Sequence, residues 1–554
     1  MPIALTNGPG VYIQELPSRV QPIAGVPTSV AAFYGQAPQG QVNFPFQVNS
    51  WGDYENQFGS LDSAYPMSYA VYLFFLNGGS TALVVRYNGN AKIAQVSLPV
   101  TAPAGGTASP ITLEASSPGA WGNNLTATVD TNNLFDPETQ FNLTIKLTQP
   151  SGAVSQELYT GASLQTGTPQ YLPTLLAASQ LVTPVNPSTW SGQPDVTPVD
   201  KNGNPLVPFS GGVDPGTPPA TSPGTTSGSG TTSGSGTTSG SGTTSGSGTT
   251  SGSGTTSGPI LDFGNPDQKT GIWALLKADI FNILCLPVDP RTPYTATDLS
   301  EGGVVKFCET YRAMLIVDSP DYTLPLQFPN IVSNPAVSPS SPNAAAYYPS
   351  LVYTDSTGAP FNVGPCGAVA GVWAATDSSR GVWKAPAGTA ATITGITGLS
   401  ELVGDKESGI LNPLAVNALR TMPLVGPVVW GARTTVGTDQ AQSQGQWKYI
   451  PVRRVALYIE ESLRRGTQWV VFEPNDEPLW SSLRLDVTTF MQGLFRQGAF
   501  AGTTPAQAYL VQCDANNNTP DQVALGIVNI LVGFAPLYPA EFVIISIQQQ
   551  AGQA

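Results

Sequence analysis

The chain has 554 residues, of which only 10% are charged, and its formal net charge is −14. This length holds more than one domain, and an acidic chain without basic blocks is repelled by phosphate backbones, so nucleic-acid binding is excluded as the primary role. Histidine is absent, which excludes histidine triads and histidine metal sites. The four cysteines are far apart and form no CxxC motif, which predicts reduced, buried thiols.

The first ninety residues follow an α/β pattern. Strand-like runs at Gly10–Leu16, Val26–Gly35 and Thr81–Tyr87 flank an apolar, helix-like run at Tyr69–Leu76. The first of these strands is isolated by Gly and Pro on both sides. The start of the chain has no basic n-region and no apolar h-region, so we expect no signal peptide.

A different composition follows, poor in charge and rich in Thr, Ser, Pro and Gly. Its short alternating runs, Ile111–Glu114, Leu125–Val129 and Phe141–Leu147, predict antiparallel strands, and we assign residues 91–213 to an inserted β-rich domain. Residues 225–254 then repeat TTSGSG five times without one apolar residue. Such a segment cannot bury a core, so residues 214–259 are predicted to be a flexible linker.

The α/β pattern returns at Ile272. A helix-like GIWALLKA precedes a buried strand at Phe281–Val288, and a helix at Glu301–Met314 and a strand at Ala313–Val317 follow. Ala368–Ala375 is rich in small residues and is predicted to be helical. We therefore expect residues 21–90 and 260–425 to form one α/β middle domain, interrupted by the insertion.

The C-terminal part predicts a second α/β domain, residues 426–536. Apolar spacing from Tyr449 predicts a helix that is capped at Gly466, with Glu460 and Glu461 on a solvated face. Gln468–Phe472 is β-branched and aromatic, which predicts a buried strand. Asn475 or Asp476 then caps a second helix, which Pro478 tolerates in its first turn. Three strand predictions close the chain: Tyr509–Asp514, Ile527–Phe534 and Glu541–Gln548.

No stretch of the chain carries a catalytic or cofactor-binding motif. GxxxxGK[ST], strand-linked GxGxxG, GxSxG and HExxH are all absent. We therefore predict no enzyme activity, no cofactor and no metal site. The apolar stretch 524–547 is interrupted by polar residues and prolines, which indicates strands rather than a membrane helix, so no direct membrane insertion is expected.

The two ends of the chain each carry a β-prone segment that prolines separate from the neighbouring domain. The last one, EFVIISIQ, is apolar enough to aggregate if it were left unpaired. Pairing of both segments within their own subunit and addition of each to a neighbour's sheet are both consistent with the pattern. From the pattern alone, the two alternatives stay open.

Six stretches of the chain together carry a resemblance to a known family. They are Gly10–Ser18 (GVYIQELPS), Pro22–Gly35 (PIAGVPTSVAAFYG), Arg380–Gly388 (RGVWKAPAG), Gly426–Thr435 (GPVVWGARTT), Tyr449–Trp480 (YIPVRRVALYIEESLRRGTQWVVFEPNDEPLW) and Pro539–Ile547 (PAEFVIISI). In combination they resemble the sheath proteins of contractile phage tails and contractile injection systems, while the inserted domain and the linker are not covered by this resemblance.

The resemblance implies a multidomain fold of mixed α/β and α+β class. It has an α/β sheath core, an inserted β-rich outer domain, and a C-terminal α/β domain completed by strands from neighbouring subunits. The N-terminal arm, residues 1–20, and the C-terminal arm, residues 537–554, would supply those strands. The intersubunit strand-pairing residues are then Val11, Tyr12, Ile13, Phe542, Val543, Ile544, Ile545 and Ile547.

The resemblance also implies function and partners. Subunits would form stacked hexameric rings around an inner tube protein and contract to drive the tube through a target envelope. Further partners would be baseplate proteins, terminator or cap proteins and sheath paralogues, with assembly in the bacterial cytoplasm into a phage tail or injection-system particle. Arg484 and Arg496 are candidate tube-facing residues, or else ordinary solvated positions. The alternative function is a non-contractile, β-rich structural or adhesive protein.

Overall fold

The computed structural model describes residues 21–87, 89, 91–102, 108–149, 152–197, 207–214, 263–288, 296–301, 303–318, 339–355, 358–439 and 445–542. The predicted strand Gly10–Leu16, the TTSGSG repeat and residues 543–548 lie outside the described residues. The chain divides into two compact units. The first comprises the residues up to Ala37, Gln41–Tyr87 and the chain from Phe263 onward, and the second comprises Pro38–Gly40 and Asn88–Asp262.

The described strands are, in chain order, β1 (Ala31–Gln36), β2 (Phe46–Val48), β3 (Ala82–Tyr87), β4 (Gln95–Leu98), β5 (Val100–Thr101), β6 (Ile111–Ala115), β7 (Leu125–Asp130), β8 (Phe141–Thr148), β9 (Val154–Ala162), β10 (Val182–Pro184), β11 (Gln193–Pro194), β12 (Ile283–Cys285), β13 (Met314–Asp318), β14 (Ala344–Tyr348), β15 (Leu351–Thr354), β16 (Pro360–Val363), β17 (Gly398–Leu399), β18 (Val416–Met422), β19 (Gly426–Val429), β20 (Tyr509–Gln512) and β21 (Leu531–Phe534).

The described α-helices are α1 (Trp51–Phe58), α2 (Pro66–Leu76), α3 (Leu172–Leu176), α4 (Ala296–Glu301), α5 (Val304–Tyr311), α6 (Cys366–Arg380), α7 (Asp405–Leu411), α8 (Ile450–Gly466), α9 (Glu477–Arg496), α10 (Pro505–Ala508) and α11 (Pro520–Ala524). None of the helices in the described part of the chain has the length and apolarity that crossing a bilayer requires.

An eight-stranded sheet organises the first unit, in the order β19-β18-β14-β13-β12-β1-β3-β2. Its six inner strands run parallel, and the edge strands β2 and β19 pair antiparallel to their neighbours. Inner strands such as β1 are nearly continuous apolar runs that are buried along their length, because helices cover both faces of a parallel sheet. The predicted mixed α/β class is confirmed.

Helices α2 and α6 pack against one another so closely that two positions of α6 must be glycine. A Cβ atom at Gly367 would overlap the carbonyl oxygen of Ala70, and one at Gly371 would meet the carbonyl oxygen of Phe74. Both helices are apolar on nearly every side, since they lie between the sheet and other covered surfaces. The contact is therefore backbone against backbone.

The second unit is built from short antiparallel strands. Its described part holds two three-stranded sheets, β10-β6-β4 and β7-β8-β9, and the pair β11-β5. Alternate residues of β4, β6 and β7, for example Leu125, Ala127 and Val129 of β7, are buried in one apolar core. The predicted antiparallel strands in this stretch are confirmed, and the predicted limits of the inserted domain, 91–213, fall inside the unit.

Helices α8 and α9 and the small antiparallel sheet β20-β21 form a second core within the first unit. Helix α9 begins as predicted, because the carboxylate of Asp476 accepts a hydrogen bond from the backbone N–H of Leu479 at 3.2 Å. Buried residues along one face of α9 fill this core. They are Leu479, Leu483, Val487, Phe490, Met491 and Leu494.

The predicted strand Gln468–Phe472 is wrong. Gln468–Val470 forms one 3₁₀ turn, Val471 and Phe472 are exposed, and Phe472 has a φ of 74°, which no strand residue adopts. The apolar run lies in the connection from α8 to α9, and none of the described strands pairs with it.

Other corrections are smaller. Residues Gly271–Lys277, predicted as a helix-like segment, form a 3₁₀ helix. The predicted strand from Ile527 starts only at Leu531, and the described start of the last predicted strand, Glu541 and Phe542, is not in a strand. The four cysteines, Cys285, Cys308, Cys366 and Cys513, are buried free thiols, as predicted.

Candidate intersubunit surface

The two-stranded sheet β20-β21 has one covered face and one open face. Tyr509 and Phe534, directly opposite each other, turn toward α9 and Phe500, whose ring centroid lies 6.3 Å from that of Tyr509 and 5.7 Å from that of Phe534. Val511 and Val532 are also directly opposite each other, and they pack against the same core. Leu510 and Leu531 belong to the opposite face and are 54% and 52% exposed.

The edges of this sheet are also open. In the described chain, β20 pairs only with β21, and β21 only with β20. Two strands are marginal on their own in water, and an unpaired edge presents a row of backbone donors and acceptors. The chain therefore offers strand-addition sites beside an apolar face, which is the arrangement that a further strand would complete.

A second exposed apolar feature lies in the connection between α8 and α9. Val471 is 62% exposed, and Phe472 is fully exposed in the left-handed region of backbone space. The side-chain amide of Asn475 donates to the carbonyl of Ile527 at 3.0 Å, so this connection is tied to the segment that leads into β21. An aromatic residue held in a strained conformation without burial is a candidate contact residue.

The segment after β21 lies on the body of the unit and is held there by an ion pair. The Arg433 guanidinium donates from Nε to Glu541 Oε1 at 2.7 Å and from Nη2 to Oε2 at 2.6 Å. The side chains of Arg433 and Glu541 are only 2% and 16% exposed. Burial alone would raise the pKa of Glu541, but the hydrogen bonds and charge of Arg433 outweigh it and lower that pKa below its ordinary value.

A groove of about 1050 Å³ adjoins this segment. Its lining combines aromatic and charged side chains, including Trp383, Lys384, Arg420, Trp430, Tyr538 and Glu541. On one side, Arg420 pairs with the exposed carboxylate of Asp405 at 2.7 Å. On the other, the ring of Tyr538 contacts that of Tyr449, with centroids 6.1 Å apart.

Helix α8 carries an ion-pair cluster that its periodicity did not predict. Glu461, expected on a solvated face, is buried and accepts hydrogen bonds from Arg464 and Arg465, while Glu460 stays largely exposed beside Arg312. Burial alone would raise the pKa of Glu461, yet the two arginines lower it to about 2. The prediction of a solvated face was wrong for Glu461, because its carboxylate pairs with Arg464 and Arg465 of its own helix and also with Arg312, which lies outside that helix.

A second buried pair joins α8 to α6. The Arg454 guanidinium donates to both oxygens of Asp377, at 2.8 and 2.6 Å, and to the carbonyl of Thr28 at 3.0 Å. It also lies over the Trp373 ring, 4.7 Å from the centroid. Both side chains are almost fully buried, so this ion pair holds α8 against α6.

Most of the predicted pairing residues fall outside the described chain, namely Val11, Tyr12, Ile13, Val543, Ile544, Ile545 and Ile547. Phe542 is described and is 76% exposed. Of the two candidate tube-facing residues, Arg496 is exposed at the end of α9, whereas Arg484 donates to the carbonyl of Cys513 and pairs with Glu477 at 3.4 Å. Arg484 thus contacts the residue that follows β20.

Comparison with known proteins shows which family the C-terminal part of the chain is similar to. Residues 442–550, which include α8, α9 and the open sheet, match the family described as phage tail sheath C-terminal domain. The tail sheath protein of Enterobacteria phage T4 is 26% identical over 156 residues, which is 28% of this chain and 22% of the phage protein. The chain thus matches about a fifth of that relative's length.

Solved structures extend the similarity to nearly the whole chain. The contracted helical sheath of the anti-feeding prophage matches with a TM-score of 0.54 and 20% identity, covering 99% of this chain and 100% of that one. The contracted PVC sheath of an extracellular contractile injection system gives the same score and identity, with 99% of each chain covered. A sheath tail protein from Listeria innocua matches with a TM-score of 0.57 and 16% identity over 90% of each chain.

These matches confirm the predicted resemblance to tail sheath proteins. Residues 442–550 match the sheath C-terminal domain family, and the chain as a whole has the fold of sheath proteins from contractile injection systems and phage tails.

Proposed function

We propose that this chain is a structural subunit of a contractile sheath. Copies of it would polymerise as stacked hexameric rings around an inner tube and contract to drive that tube through a target envelope. The observation that carries the proposal is the similarity of fold over 99% of the chain to sheath subunits of contractile injection systems. The function requires no catalysis and no cofactor, since the work comes from rearrangement of an assembled polymer.

The proposed link between copies is strand addition at the open sheet. A sheet with unpaired edges and a half-exposed apolar face, at Leu510 and Leu531, is suited to receive strands from another chain. The donors would be the N-terminal segment with Val11, Tyr12 and Ile13, and the C-terminal segment with Phe542, Val543, Ile544, Ile545 and Ile547. Backbone hydrogen bonds supply the affinity, and alternate apolar side chains supply the register.

Contraction would then be a rigid-body rearrangement of packed domains whose connecting strands stay paired. In this arrangement residues 426–536 face the inner tube, and the inserted domain, residues 91–213, faces outward. Of the two candidate tube contacts, Arg496 is the better supported, because it is exposed while Arg484 is engaged within its own domain. Baseplate proteins, terminator proteins and sheath paralogues would contact the ends of the sleeve or share it, inside a phage tail or an injection-system particle.

Electron microscopy of the purified chain tests the strand link. A truncation after Phe542 removes the twelve residues Val543–Ala554 but keeps the Arg433–Glu541 ion pair. The matched control deletes two TTSGSG copies, Thr225–Gly236, which is the same number of residues from the linker. We expect helical sleeves from the full chain and from the control, and monomers from the truncation.

Co-expression with an inner tube protein completes the test, because a sheath can require its tube as a template. If the full chain gives no sleeves on that template, the sheath proposal is wrong. If the truncation assembles as well as the full chain, the sheath proposal stands, but the C-terminal segment is not the link between copies.

A further inference from the structure

We infer that the Arg433–Glu541 ion pair is a fixed anchor that sets the point at which the C-terminal segment leaves its own subunit. The anchor positions the segment for pairing with a neighbour, so the inference rests on the proposed function and deepens it. Neither residue is among the predicted pairing residues, and the two lie 108 positions apart in the sequence.

The donor side of the anchor, Arg433, is preorganised on the body of the unit. The backbone N–H of Arg433 donates to Asn417 Oδ1 at 2.7 Å, and Asn417 Nδ2 donates back to the carbonyl of Arg433 at 2.8 Å. Asn417 belongs to β18 of the eight-stranded sheet. Arg433 Nη1 donates to the carbonyl of Asn412 at 2.9 Å and to that of Gly437 at 3.2 Å. The guanidinium therefore holds one orientation, with Nε and Nη2 directed at a carboxylate.

Glu541 fills this fork with both oxygens, and the side chains of Asn412 and Tyr449 also hydrogen-bond to its carboxylate. The bidentate geometry fixes the carboxylate in direction as well as in distance, which a lysine in place of Arg433 cannot do. Pro536 and Pro539 lie between the end of β21 and Glu541 and restrict the backbone of the connection. The segment from Ala535 to Glu541 is thus constrained at both of its ends.

Glu541 is a held point within an otherwise largely exposed segment. Its side chain is 16% exposed, whereas Tyr538 before it and Phe542 after it are 60% and 76% exposed. The anchor is therefore the last described position at which the segment is tied to its own unit. A free segment would adopt many exit directions and would lose this conformational entropy when it pairs. An anchored segment is already restricted, so it loses less entropy on association.

The anchor is permanent near neutral pH. The charged and titratable groups that face it are Arg433, Asp439, Lys448, Tyr449 and Glu541. Burial opposes ionisation of Glu541, but the hydrogen bonds and charge of Arg433 prevail and lower its pKa. Because the folded pKa lies below the unfolded one, the stabilisation is present above the ordinary glutamate pKa and is lost only as pH falls through the lowered value. We therefore expect no change of the anchor between pH 6 and pH 8.

Three variants test the inference. Glu541→Gln keeps the length of the side chain and removes its charge, and Arg433→Lys keeps the charge and removes the fork. The control, Arg420→Lys, alters the pair with Asp405 on another side of the same groove, where the carboxylate is exposed. Amide hydrogen exchange of residues 535–542 in the isolated chain reports the anchor directly, and the critical concentration for sleeves on a tube protein reports its role in assembly.

We expect exchange of residues 535–542 to become about tenfold faster in both anchor variants, and the critical concentration to rise by about tenfold, with the control unchanged in both. Unchanged exchange in Glu541→Gln overturns the anchor. Faster exchange without a change in assembly overturns its positioning role. Failure of the wild-type chain to form sleeves would contradict the proposed function alone, because the exchange measurement tests the anchor without assembly.

Discussion

The eight-stranded sheet and the two-stranded sheet belong to the same unit but differ in what surrounds their strands. The inner strands of the large sheet are buried on both faces, and short antiparallel strands occupy its edges. The small sheet is covered on one face by α9 and open at its edges and its other face. Described strands of the same chain therefore complete the large sheet, whereas no described strand pairs with the outer edges of the small sheet.

The largest effect on the free energy of unfolding is expected at the Arg454–Asp377 ion pair, which joins α8 to α6. Arg454→Met leaves the Asp377 carboxylate buried with only Thr28 as a side-chain hydrogen-bond donor, and breaking a buried ion pair from one side costs about 3–5 kcal/mol. Denaturant unfolding monitored by tryptophan fluorescence measures this cost. The double variant Arg454→Met with Asp377→Leu removes both charges and should recover much of it. An equally large loss in both variants would show that packing, and not the unpaired charge, dominates.

The stability of the folded chain is expected to depend on pH through Asp318, at the carboxyl end of β13. Asp318 is buried, its Oδ1 accepts from the backbone N–H of Cys366 at 2.7 Å, and its Oδ2 has no hydrogen-bond partner among the described residues. Burial raises its pKa to about 7 despite that hydrogen bond, so the folded chain keeps a proton that the unfolded chain has lost. Stability therefore falls as pH rises from the ordinary aspartate range through 7.

Asp318→Asn removes this titration, so its thermal midpoint relative to the wild type should rise from pH 5 to pH 8. Thermal unfolding of both proteins at pH 5, 6, 7 and 8 measures the difference. A difference that is the same at every pH would mean that Asp318 is ionised to the same extent in the folded and unfolded chain.

The two faces of the small sheet allow a direct comparison of neighbouring residues. Val511→Ala removes a side chain that packs on the α9 core and should cost roughly 1 kcal/mol of unfolding free energy. Leu510→Ala, on the open face, should change it by less than about 0.5 kcal/mol and should weaken sleeve formation instead. Equal losses of monomer stability would indicate that the chain itself covers the face that carries Leu510. The small sheet would then not differ from the large sheet in having an open face.

The smallest effect is expected at Phe472. Its left-handed conformation is unfavourable for a large side chain, and full exposure means that no packing offsets that cost. Phe472→Asn, which tolerates this conformation, should raise the unfolding free energy by roughly 0.5–1 kcal/mol. Chemical denaturation detects a change of this size. A loss of stability would show that the ring makes a contact within its own subunit.

Periodicity and capping rules predicted the elements whose structure depends on neighbours in the sequence. The strand at Thr81–Tyr87, the helix around Ala368–Ala375 and the Asp476 cap of α9 were all confirmed. The strand and the helix each depend on an apolar run in their own sequence. The cap depends on a side chain that lies three residues from the N–H group it binds. The same rules failed at Gln468–Phe472, where β-propensity is high but none of the described strands pairs with the segment.

The contacts that define the candidate surface could not be predicted in this way. Glu461 and Arg312 are 149 positions apart, and Arg433 and Glu541 are 108 apart, so no local pattern relates them. The family motifs GPVVWGARTT and PAEFVIISI each contain one member of the anchor, but a motif match does not state that its residues touch. Residues of the predicted pairing segments other than Phe542 lie beyond the described chain, and their pairing stays a prediction.

The contact between α2 and α6 has a mechanical consequence. Where Gly367 and Gly371 bring two helix backbones together, no flexible side chains remain between them to be compressed or to slide. A load applied to one helix then passes to the other through backbone atoms in direct van der Waals contact, with little room for deformation. Under the proposed function, such stiffness would determine how much of each contraction step reaches the next ring.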